Sequence, residues 1–524
     1  MATETAPSGV RDRPIPVALA ERLTSPVAGG GQTVTTTAPF TGEPLAELPL
    51  STAADVATAF ERARAAQADW ARRSARERAA PFLRMHDLVL ANTADVLDIL
   101  QWETGKARRH AFEEVYDIAA GTLHTARTAP KLLKRSRRAG AIPMLTRTYV
   151  RHQPKGVVAV ITPWNYPLAL PVSDIVPALI AGNAVVSKPD TQTALSTLWA
   201  RDLAVRAGLP GELWQVVLGD PEEVGPALVE NADYVAFTGS SRAGAQIAQQ
   251  AAARLVGCSL ELGGKNPMIV RADADVERTG EGAVRACFTN AGQLCISMER
   301  LYVHNDVYDT FVPHFVERVR AMRLSTTLDF EADMGSLTFP RQLETVTRHV
   351  QEAVEAGATV LTGGRPRPDL GPLFYEPTVL TDVTRDMRVC TDETFGPVVS
   401  IYRYYDDDEA VRAANDTRYG LNASVWTKDV REGRRLAERI QAGTVNVNEG
   451  YGAAYASYAA PMGGFKGSGL GRRHGSEGVL RYTEPQTVAS QHLMGLGGPP
   501  GMSFATFARV MTLTQGLMKR LRLK

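Results

Sequence analysis

The sequence predicts an α/β protein whose core is a parallel, doubly wound sheet. Three short apolar runs rich in β-branched residues, at residues 156–161, 184–187 and 233–237, each stop at a turn that contains Pro or Gly. Helical patterns separate these runs, and buried strands that alternate with helices form parallel sheets. Ligands of such sheets lie beyond the carboxyl ends of the strands, so we expect the three turns to border one crevice.

The length and charge of the chain limit its architecture and its partners. A chain of 524 residues is too long for one core and should divide into two or three domains. Its 58 basic and 57 acidic residues give a formal charge of +1. That balance offers no electrostatic reason to expect nucleic acid as a partner.

The cysteine pattern and the apolar stretches indicate a cytoplasmic enzyme without a metal site. The four cysteines, Cys258, Cys287, Cys295 and Cys390, form no C-x-x-C pair, which disfavours zinc binding and a disulfide framework. The first residues lack the apolar core of a secretory signal. Every longer apolar stretch is interrupted before 18 residues, so we expect no helix that spans a membrane.

In the amino-terminal part, residues 1–30 are rich in Ala, Pro, Thr and Gly and predict a flexible arm. Residues 52–119 then have a helical pattern, with amphipathic stretches at 53–70 and 75–100. Further helices are predicted at 171–180 and 193–207, between the apolar runs.

A second series of strands and helices extends from residue 268 to residue 447. Strand-like runs at 301–304, 398–402 and 444–447 predict a second α/β domain. A Gly- and Pro-rich linker at 495–501 then precedes an amphipathic helix at 504–524 with a basic end.

Two residues are candidates for covalent chemistry. Cys295 follows a Gly-Gln turn, and a thiolate is the side-chain nucleophile best suited to add to an aldehyde carbon. Glu261 precedes two glycines, and a glutamate there can act as a general base. Taken one at a time, these positions favour a structural cysteine and a solvated surface glutamate.

Two turns are candidates for binding negative charge. Asn165 lies in a turn after the first apolar run, where its amide can donate to an oxyanion, although a structural turn is an alternative. Gly239 and Gly244 lie where a strand passes into a helix, and amides at a helix N-terminus suit a pyrophosphate. Their spacing is not G-x-G-x-x-G, so this motif alone is weak.

Taken together, these segments closely resemble the aldehyde dehydrogenase superfamily, from about residue 40 to residue 488. Their order and spacing leave little room for chance agreement. The motifs that carry the resemblance are Glu103-Thr-Gly-Lys106, Pro163-Trp-Asn-Tyr-Pro167, Lys188-Pro189, Phe237-Thr-Gly-Ser240, Glu261-Leu-Gly-Gly-Lys265, Gly292-Gln-Leu-Cys295, Glu393-Thr-Phe-Gly-Pro397, Asn446-Val-Asn448 and Pro461-Met-Gly-Gly-Phe-Lys466.

The resemblance implies a domain organisation and an oligomer. A Rossmann-type NAD(P)-binding domain would comprise residues 31–139 and 155–262, and a second α/β catalytic domain residues 263–455. A small β oligomerisation arm would comprise residues 140–154 and 456–490, followed by the linker and helix at 491–524. A homodimer or homotetramer is expected.

The resemblance also implies roles for individual residues. Cys295 would be the nucleophile, Glu261 the general base, and Asn165 with the Cys295 backbone amide the oxyanion hole. Because the family's branch that forms acyl-CoA lacks this glutamate, its presence favours hydrolysis. The implied cofactor-binding residues are Thr162, Pro163, Trp164, Lys188, Thr191, Gly239, Ser240, Gly244, Leu262, Glu393 and Phe395.

Within that set, Lys188 would hold the adenosine ribose or its phosphate, Gly239 and Ser240 the pyrophosphate, and Glu393 with Phe395 the nicotinamide and its ribose. Relatives that prefer NAD⁺ usually carry a glutamate where this chain has Thr191. Without that carboxylate a 2′-phosphate is not repelled, which favours NADP⁺. The nearby Asp190 leaves use of NAD⁺ open.

The substrate is less defined. Val172-Ser-Asp174 and Gly471-Arg-Arg-His-Gly475 resemble the actinobacterial succinate-semialdehyde dehydrogenases, so succinate semialdehyde is the first expectation. Better-known enzymes of that specificity hold the substrate carboxylate with two arginines, and this chain has Ser173 and Thr289 instead. Losing two charged contacts costs about 1.5–3 kcal/mol each.

Three alternatives therefore stay open. Arg285 or Arg300 substitutes for the missing arginines, or the substrate is a medium-chain or aromatic aldehyde. The partly aromatic loop at residues 449–460 fits an uncharged pocket, which favours the second alternative. A non-catalytic protein that keeps the fold is the remote third alternative.

The last helix has two possible partners. Residues Phe504, Phe507, Met511, Thr514, Met518 and Leu521 recur at three- and four-residue steps and share one helix face. This face is expected to dock on its own subunit or on a neighbour, with peripheral contact to a membrane surface as the alternative.

Overall fold

The computed structural model describes residues 15–29, 31–141, 145–492 and 497–522, which fold into α-helices around two large, mainly parallel sheets. The helices of the described residues are α1 (Val17–Thr24), α2 (Ala53–Arg72), α3 (Ala75–Ala91), α4 (Thr93–Thr104), α5 (Arg108–Leu132), α6 (Ala169–Ile180), α7 (Ala194–Arg206), α8 (Pro221–Asn231), α9 (Ser241–Ala253), α10 (Val276–Phe288), α11 (Asn305–Arg320), α12 (Pro340–Glu355), α13 (Arg388–Thr391), α14 (Asp407–Asn415), α15 (Val430–Ala437), α16 (Gly452–Tyr455), α17 (Gly475–Leu480) and α18 (Phe504–Arg520). The strands are β1 (Thr33–Thr37), β2 (Pro44–Pro49), β3 (Ser136–Arg138), β4 (Thr146–Pro154), β5 (Val157–Ile161), β6 (Ala184–Lys188), β7 (Trp214–Val216), β8 (Tyr234–Thr238), β9 (Gly257–Glu261), β10 (Asn266–Val270), β11 (Met298–His304), β12 (Thr359–Thr362), β13 (Thr378–Thr381), β14 (Val398–Tyr404), β15 (Asn422–Trp426), β16 (Thr444–Val447), β17 (Gly469–Leu470) and β18 (Thr483–Gln491).

The first large sheet has the order β17-β9-β8-β5-β6-β7. Its strands are parallel except β17, which pairs antiparallel with β9 at the edge. The three apolar runs predicted as strands are β5, β6 and β8, and they are buried because helices cover both faces of a parallel sheet. In the register, Ile161 lies opposite Lys188, and Thr238 opposite Glu261. The predicted ligand-binding turns therefore meet at one edge.

The second large sheet has the order β12-β13-β14-β11-β10-β15-β16, with only β12 antiparallel. It spans Asn266–Val447 in the chain, which agrees with the predicted second series of strands and helices. Its first strand, β10, begins five residues after β9 of the first sheet ends, at Glu261. The segment between the sheets therefore carries the predicted general base.

The small sheet differs in detail from the predicted oligomerisation arm. Strand β4 pairs along its whole length with β18 and also with β3. Strand β3 falls within the range assigned to the cofactor domain, and β17 falls within the range assigned to the arm but joins the first large sheet. The domain boundaries themselves stay a prediction.

The prediction of a flexible arm is wrong for the described residues before β1. Helix α1 contacts α7 and buries Leu23, and Arg22 forms an ion pair with Asp202 at 2.6 Å. Val27 then forms a parallel bridge with Val216 at the edge of the first sheet. Buried apolar contact outweighed the loop-like composition here. Half of the predicted arm, residues 1–14 and 30, lies outside the described residues.

The helix predicted over residues 75–100 is two helices, α3 and α4. The backbone of Asn92 leaves the helical region at φ −117° and ψ 26°, and its side-chain amide donates to the Leu88 carbonyl at 2.7 Å. Asparagine competes for backbone hydrogen bonds in this way, which ends the first helix. Within the described ranges, no helix is long and apolar enough to cross a membrane.

Candidate active site

A cavity of about 470 Å³ lies beyond the carboxyl ends of the strands and brings the three predicted catalytic residues together. Cys295, Glu261 and Asn165 all line it, and we call these three residues the catalytic floor. Three tyrosines from the segment after β16 line it as well, namely Tyr451, Tyr455 and Tyr458, and we call them the tyrosine wall. The floor comes from three separate loops, so the fold and not sequence proximity assembles it.

The loop that carries Cys295 is fixed through its backbone. After α10 the chain makes a tight turn in which Asn290 and Ala291 have φ of 53° and 54°, a left-handed conformation that is costly for residues other than glycine. The side-chain amide of Asn266 donates to the carbonyl oxygens of Cys295 at 2.8 Å and Ser297 at 2.7 Å. These contacts hold the backbone of the nucleophile in place.

The same loop lies against the loop between α13 and β14. Gly292 has φ +71°, and a Cβ built on it would lie 2.0 Å from the carbonyl oxygen of Gly396. No side chain fits in that space, which explains the glycine of the Gly292-Gln-Leu-Cys295 motif. The nucleophile loop and the 393–396 segment are therefore in direct backbone contact.

The environment of the Cys295 thiol disfavours its ionisation. Burial raises its pKa to about 12, and the negative charges of Glu393 and Glu261 add to this effect, while the charge of Arg473 opposes it. A thiol with such a pKa is almost wholly protonated near neutral pH, so it needs a nearby base.

Glu261 is suited to be that base. It is 5% exposed at the end of β9, and neither carboxylate oxygen has a hydrogen-bond partner among the described residues. Burial raises its pKa to about 7, and Arg473 is the strongest of the charges that lower it. A base with a pKa near the working pH transfers protons most effectively.

Asn165 is held by a buried ion pair. The Nζ of Lys106 contacts Glu114 and donates to the Asn165 carbonyl at 2.8 Å, and Glu114 accepts the backbone N–H groups of Leu168 and Ala169. The Asn165 amide donates one hydrogen to the Gln293 carbonyl at 3.0 Å, and its second hydrogen has no acceptor in the described part of the chain. That hydrogen is available for an oxyanion.

The residues predicted to hold adenosine lie at the ends of β5 and β6. Lys188 is 4% exposed, and among the described residues its ammonium donates only to the Pro189 carbonyl, at 3.5 Å. Thr191 begins the turn before α7 and accepts the Gly219 N–H at 3.3 Å. Thr162 and Pro163 follow β5, and the buried Thr162 hydroxyl has no partner among the described residues. These under-satisfied groups fit a ribose or a phosphate.

The predicted pyrophosphate site lies at the start of α9. Ser240 caps this helix by accepting the Ala243 N–H at 3.3 Å, and Gly239 donates to the Glu261 carbonyl at 3.0 Å. A Cβ on Gly244 would lie 2.5 Å from Leu262, so glycine permits close packing of the helix against that side chain. The free N–H groups of the first helical turn face the crevice edge, as an anion site requires.

The predicted nicotinamide residues are positioned by a second buried ion pair. Glu299, paired with Lys265, accepts the N–H groups of Thr394 and Phe395 at 3.0 Å and so fixes the loop that bears Glu393. The Phe395 ring lies edge-on to Trp164 with the ring centroids 5.6 Å apart. Glu393 accepts the Gly264 N–H at 2.8 Å, and burial raises its pKa to about 8.

The candidate carboxylate-binding arginines differ from each other. The prediction that Arg300 contacts the substrate is wrong, because this residue is buried. Its guanidinium donates hydrogen bonds to Lys265, Tyr302, Ala413 and Ala414. Arg285 lines the cavity, lies over the Tyr451 ring at 5.4 Å and is 3.7 Å from Glu449. It is the candidate that the geometry retains.

Ser173 and Thr289, which stand where better-known succinate-semialdehyde dehydrogenases have arginines, lie in different places. Thr289 accepts the Tyr451 hydroxyl at 3.0 Å, next to the cavity. Ser173 lines a different, smaller pocket and donates to the Leu170 carbonyl at 2.9 Å. Neither supplies positive charge to the cavity.

Sequence reasoning missed the residues that position the site. Lys265, Asn266 and Glu299 hold the loops, and Arg473 lies in the cavity wall beside the floor. Lys265 and Arg473 stand in segments already singled out for the resemblance, but a motif does not reveal which neighbour each residue meets. Within the described ranges, no group of three or more His, Cys, Asp or Glu side chains is arranged to hold a metal.

The chain matches the family model described as "Aldehyde dehydrogenase family" over residues 27–488. It is 54% identical over 473 residues to a Mycolicibacterium smegmatis protein named putative succinate-semialdehyde dehydrogenase [NADP(+)], covering 90% of this chain and 92% of the relative. A Mycobacterium tuberculosis protein named putative succinate-semialdehyde dehydrogenase [NADP(+)] 2 is 52% identical over 481 residues, with 92% and 93% coverage.

Solved structures are similar over the same region. An Escherichia coli structure described as an NADP-dependent enzyme aligns with a TM-score of 0.85 at 34% identity, covering 88% of this chain and 95% of that one. A Staphylococcus aureus betaine aldehyde dehydrogenase in complex with NAD⁺ aligns with a TM-score of 0.85 at 30% identity, with 90% and 96% coverage.

Proposed function

The chain belongs to the aldehyde dehydrogenase family, and we propose that it oxidises succinate semialdehyde to succinate with NADP⁺ through a thioester on Cys295. The observation that carries the proposal is the meeting of Cys295, Glu261 and Asn165 on one cavity. A thiol, a base with a pKa near 7 and an amide donor are the three groups that this chemistry needs.

The residues act in the following order. Glu261 takes the thiol proton as the Cys295 sulfur bonds to the aldehyde carbon, and the new oxyanion accepts hydrogen bonds from Asn165 and the Cys295 backbone N–H. Bound NADP⁺ would supply the acceptor for the hydride that this carbon loses, so that a thioester would remain on Cys295. Glu261 releases the thiol proton to solvent and then deprotonates a water molecule. The resulting hydroxide attacks the thioester carbon, and the acid leaves as the Cys295 thiolate recovers that proton from Glu261.

Two observations support NADP⁺ as the cofactor. The related mycobacterial proteins carry NADP(+) in their names. At the end of β6, Lys188 is a buried ammonium, and within the described part of the chain its only hydrogen bond is a long contact to the Pro189 carbonyl. Thr191 adds no negative charge next to it. Asp190 is buried close to Lys188 and partly offsets its charge, so NAD⁺ stays a second cofactor.

Succinate semialdehyde is proposed as substrate on the relatives' names and on Arg285. The side chain of Arg285 is 54% exposed and lines the cavity, where it can meet a carboxylate at the far end of a short aldehyde.

A medium-chain or aromatic aldehyde is the second candidate, and a specific observation favours it. The tyrosine wall covers one side of the cavity, and both cavity arginines already face carboxylates: Arg285 faces Glu449, and Arg473 is paired with Asp174. A cavity with aromatic walls and matched charges suits an uncharged substrate.

A panel of aldehydes tests the proposal. Purified enzyme with NADP⁺ is given succinate semialdehyde, hexanal or benzaldehyde, and absorbance of the reduced nicotinamide is followed. We expect the highest kcat/KM for succinate semialdehyde. A higher value for benzaldehyde or hexanal would establish the second candidate, and no reduction with any aldehyde would overturn the proposed activity.

We further propose a cytoplasmic homodimer or homotetramer. The long antiparallel pairing of β4 and β18 leaves strand edges that a second copy can extend. Mass photometry across a dilution series measures the assembly, and a monomer at every concentration would refute it.

Helix α18 is proposed as a docking element at the protein surface. Phe507 is buried, whereas Leu513, 74% exposed, and Leu517 further along the same helix are exposed. Arg509, Lys519 and Arg520 are the charged residues of this helix, and it has no acidic residue. We propose that a neighbouring subunit covers the apolar side, and that an anionic membrane surface is the alternative.

Truncation after residue 496 separates these partners. Loss of oligomer mass supports subunit docking, and co-sedimentation of the full chain, but not the truncated one, with anionic liposomes supports the membrane alternative. If truncation changes neither property, both proposals for the helix fail.

A further inference from the structure

A buried cluster of charges forms part of the cavity wall beside the catalytic floor. Arg473, 1% exposed, binds Asp174 of α6 with two hydrogen bonds, from Nε at 3.2 Å and from Nη2 at 2.7 Å. Arg481 also donates to Asp174, and its Nε and Nη1 have no partner among the described residues. Two guanidinium groups therefore share one carboxylate.

The sheet connects this cluster to Glu261. Arg473 donates to the Thr238 hydroxyl at 2.9 Å, and Thr238 is the register neighbour of Glu261 in the pairing of β8 with β9. Glu261 is also the register neighbour of Gly469, four residues before Arg473. Arg473 and Glu261 both line the cavity that contains Cys295.

Among Arg473, Arg481, Asp174 and Glu261, the charges balance when Glu261 is ionised. Arg473 and Arg481 carry two positive charges, and Asp174 neutralises one of them. A buried charge without a counterion is strongly unfavourable. The Glu261 carboxylate, whose oxygens have no hydrogen-bond donor in the described part of the chain, is the remaining negative group of this set.

We propose that Arg473 is a positioning residue that keeps Glu261 in its carboxylate form, and that Asp174 limits how strongly it does so. The inference rests on the proposed function, because it assumes that Glu261 is the base of the deacylation step. Arg473 acts through Glu261 and forms no bond with the reacting atoms.

The directions of the pKa shifts agree with this arrangement. Burial is the largest influence and raises the pKa of Glu261, while Arg473 and then Arg481 lower it and Asp174 raises it. Burial lowers the pKa of the neighbouring His474 to about 3, so this imidazole is neutral and adds no charge. Arg472, Cys295, Glu393 and Asp117 are further titratable or charged groups near the cavity floor. The cavity lining also includes the charged residues Glu113, Glu114, Arg285 and Glu449 and the hydroxyls of the tyrosine wall.

Two substitutions with opposite expected signs test the proposal. The rate of thioester hydrolysis on Cys295 is measured by rapid-quench mass spectrometry from about pH 5 to pH 9 with succinate semialdehyde and NADP⁺, which isolates the step that Glu261 serves. In the wild type the rate falls as pH decreases through the pKa of Glu261, and we call this falling part of the pH profile the acid limb.

Arg473→Gln should move this acid limb to higher pH by about one unit, so that the rate near pH 7 falls several-fold. Asp174→Asn should move the limb to lower pH, because Arg473 loses its partner. A general loss of structure would lower both rates without opposite shifts. Limbs that stay in place, or that move in the same direction, would overturn the proposal.

Further variants keep the test decisive if Asp174→Asn does not fold. Arg473→Lys retains the charge and should keep the limb close to its wild-type position. Arg472→Gln is the matched control, since this adjacent arginine contacts neither Asp174 nor Thr238, and its limb should shift less than that of Arg473→Gln. If Arg473→Lys and Arg473→Gln shift the limb equally, charge is not the cause and the inference fails.

The proposed function fails in a distinguishable way. If the wild type has no acid limb and Glu261→Gln hydrolyses its thioester at the normal rate, Glu261 is not the base. If the wild-type limb is present and Glu261→Gln removes it, only the response of the Arg473 and Asp174 variants decides the inference.

Discussion

The catalytic floor and the tyrosine wall line the same cavity, but the two regions differ in whether their polar side-chain atoms have hydrogen-bond partners. In the floor, the backbone around Cys295 and Asn165 is bonded, whereas neither Glu261 oxygen has a hydrogen bond within the described residues. In the wall, the tyrosine hydroxyls are engaged. Tyr451 donates to Glu113 at 3.1 Å, and Tyr458 to Asp117 at 2.8 Å.

This difference assigns separate tasks to the two regions. Fixed backbone with unpaired reactive atoms is the arrangement that chemistry requires, because reorganisation is avoided during the reaction. Engaged hydroxyls leave the aromatic rings to contact the substrate, so the wall selects by shape and apolar area. The reaction class therefore depends on the floor, and the choice of aldehyde on the wall and on Arg285.

Among the substitutions, replacing the nucleophile of the catalytic floor should cause the largest loss of turnover. Cys295→Ser is expected to lower turnover at least about a thousandfold, since a serine hydroxyl has far weaker nucleophilicity than a thiol at this site. NADP⁺ binding, measured by calorimetry, should persist. Cys258→Ser, outside the cavity lining, is the matched control and should stay close to the wild-type rate. Turnover of more than a few per cent in Cys295→Ser would exclude the covalent mechanism.

Replacing the base should stop the cycle after acylation. Glu261→Gln is expected to slow turnover about a hundredfold, because no carboxylate remains to deprotonate the water. Rapid-quench mass spectrometry should then find an acyl group on Cys295. An unchanged steady-state rate would require another base.

Replacing Arg285 tests whether this cavity arginine binds the carboxylate of the substrate. Arg285→Ala should raise KM for succinate semialdehyde about tenfold or more, since a charged hydrogen bond contributes about 1.5–3 kcal/mol. KM for benzaldehyde should change little. Arg278→Ala, an exposed arginine on the same helix, is the control. Equal effects on both aldehydes would leave the wall as the sole determinant of specificity.

The smallest change is expected at the cofactor loop, away from both floor and wall. Thr191→Glu should shift the ratio of kcat/KM for NADP⁺ over NAD⁺ by about tenfold toward NAD⁺, because a carboxylate repels the 2′-phosphate. Thr191→Val removes the hydroxyl without adding charge and should shift the ratio less. A wild type that prefers NAD⁺ would contradict the NADP⁺ proposal.

The strands and most helices were predictable because they depend on local patterns. The runs that became β5, β6 and β8 are apolar, β-branched and followed by turn residues, and all three are strands in the first sheet. Helix α1 was not predictable in this way. Its stability comes from contact with α7, which lies about 180 residues further along the chain.

The catalytic floor was predictable from motifs, but its supports were not. Cys295, Glu261 and Asn165 belong to short segments with recognisable order. Glu299, Asn266 and Arg473 act through partners from other elements, such as Thr394, Cys295 and Asp174. Such pairings depend on how the two sheets come together, and a one-dimensional pattern carries no record of them.

The contact between Gly292 and Gly396 restricts which residue the nucleophile loop tolerates at position 292. A Cβ there would lie 2.0 Å from the Gly396 carbonyl oxygen, so any side chain would force the two loops apart. One loop bears the Cys295 sulfur, and the other bears Glu393 and Phe395, the predicted nicotinamide site. A substitution of Gly292 would therefore disturb the nucleophile and the predicted cofactor site together.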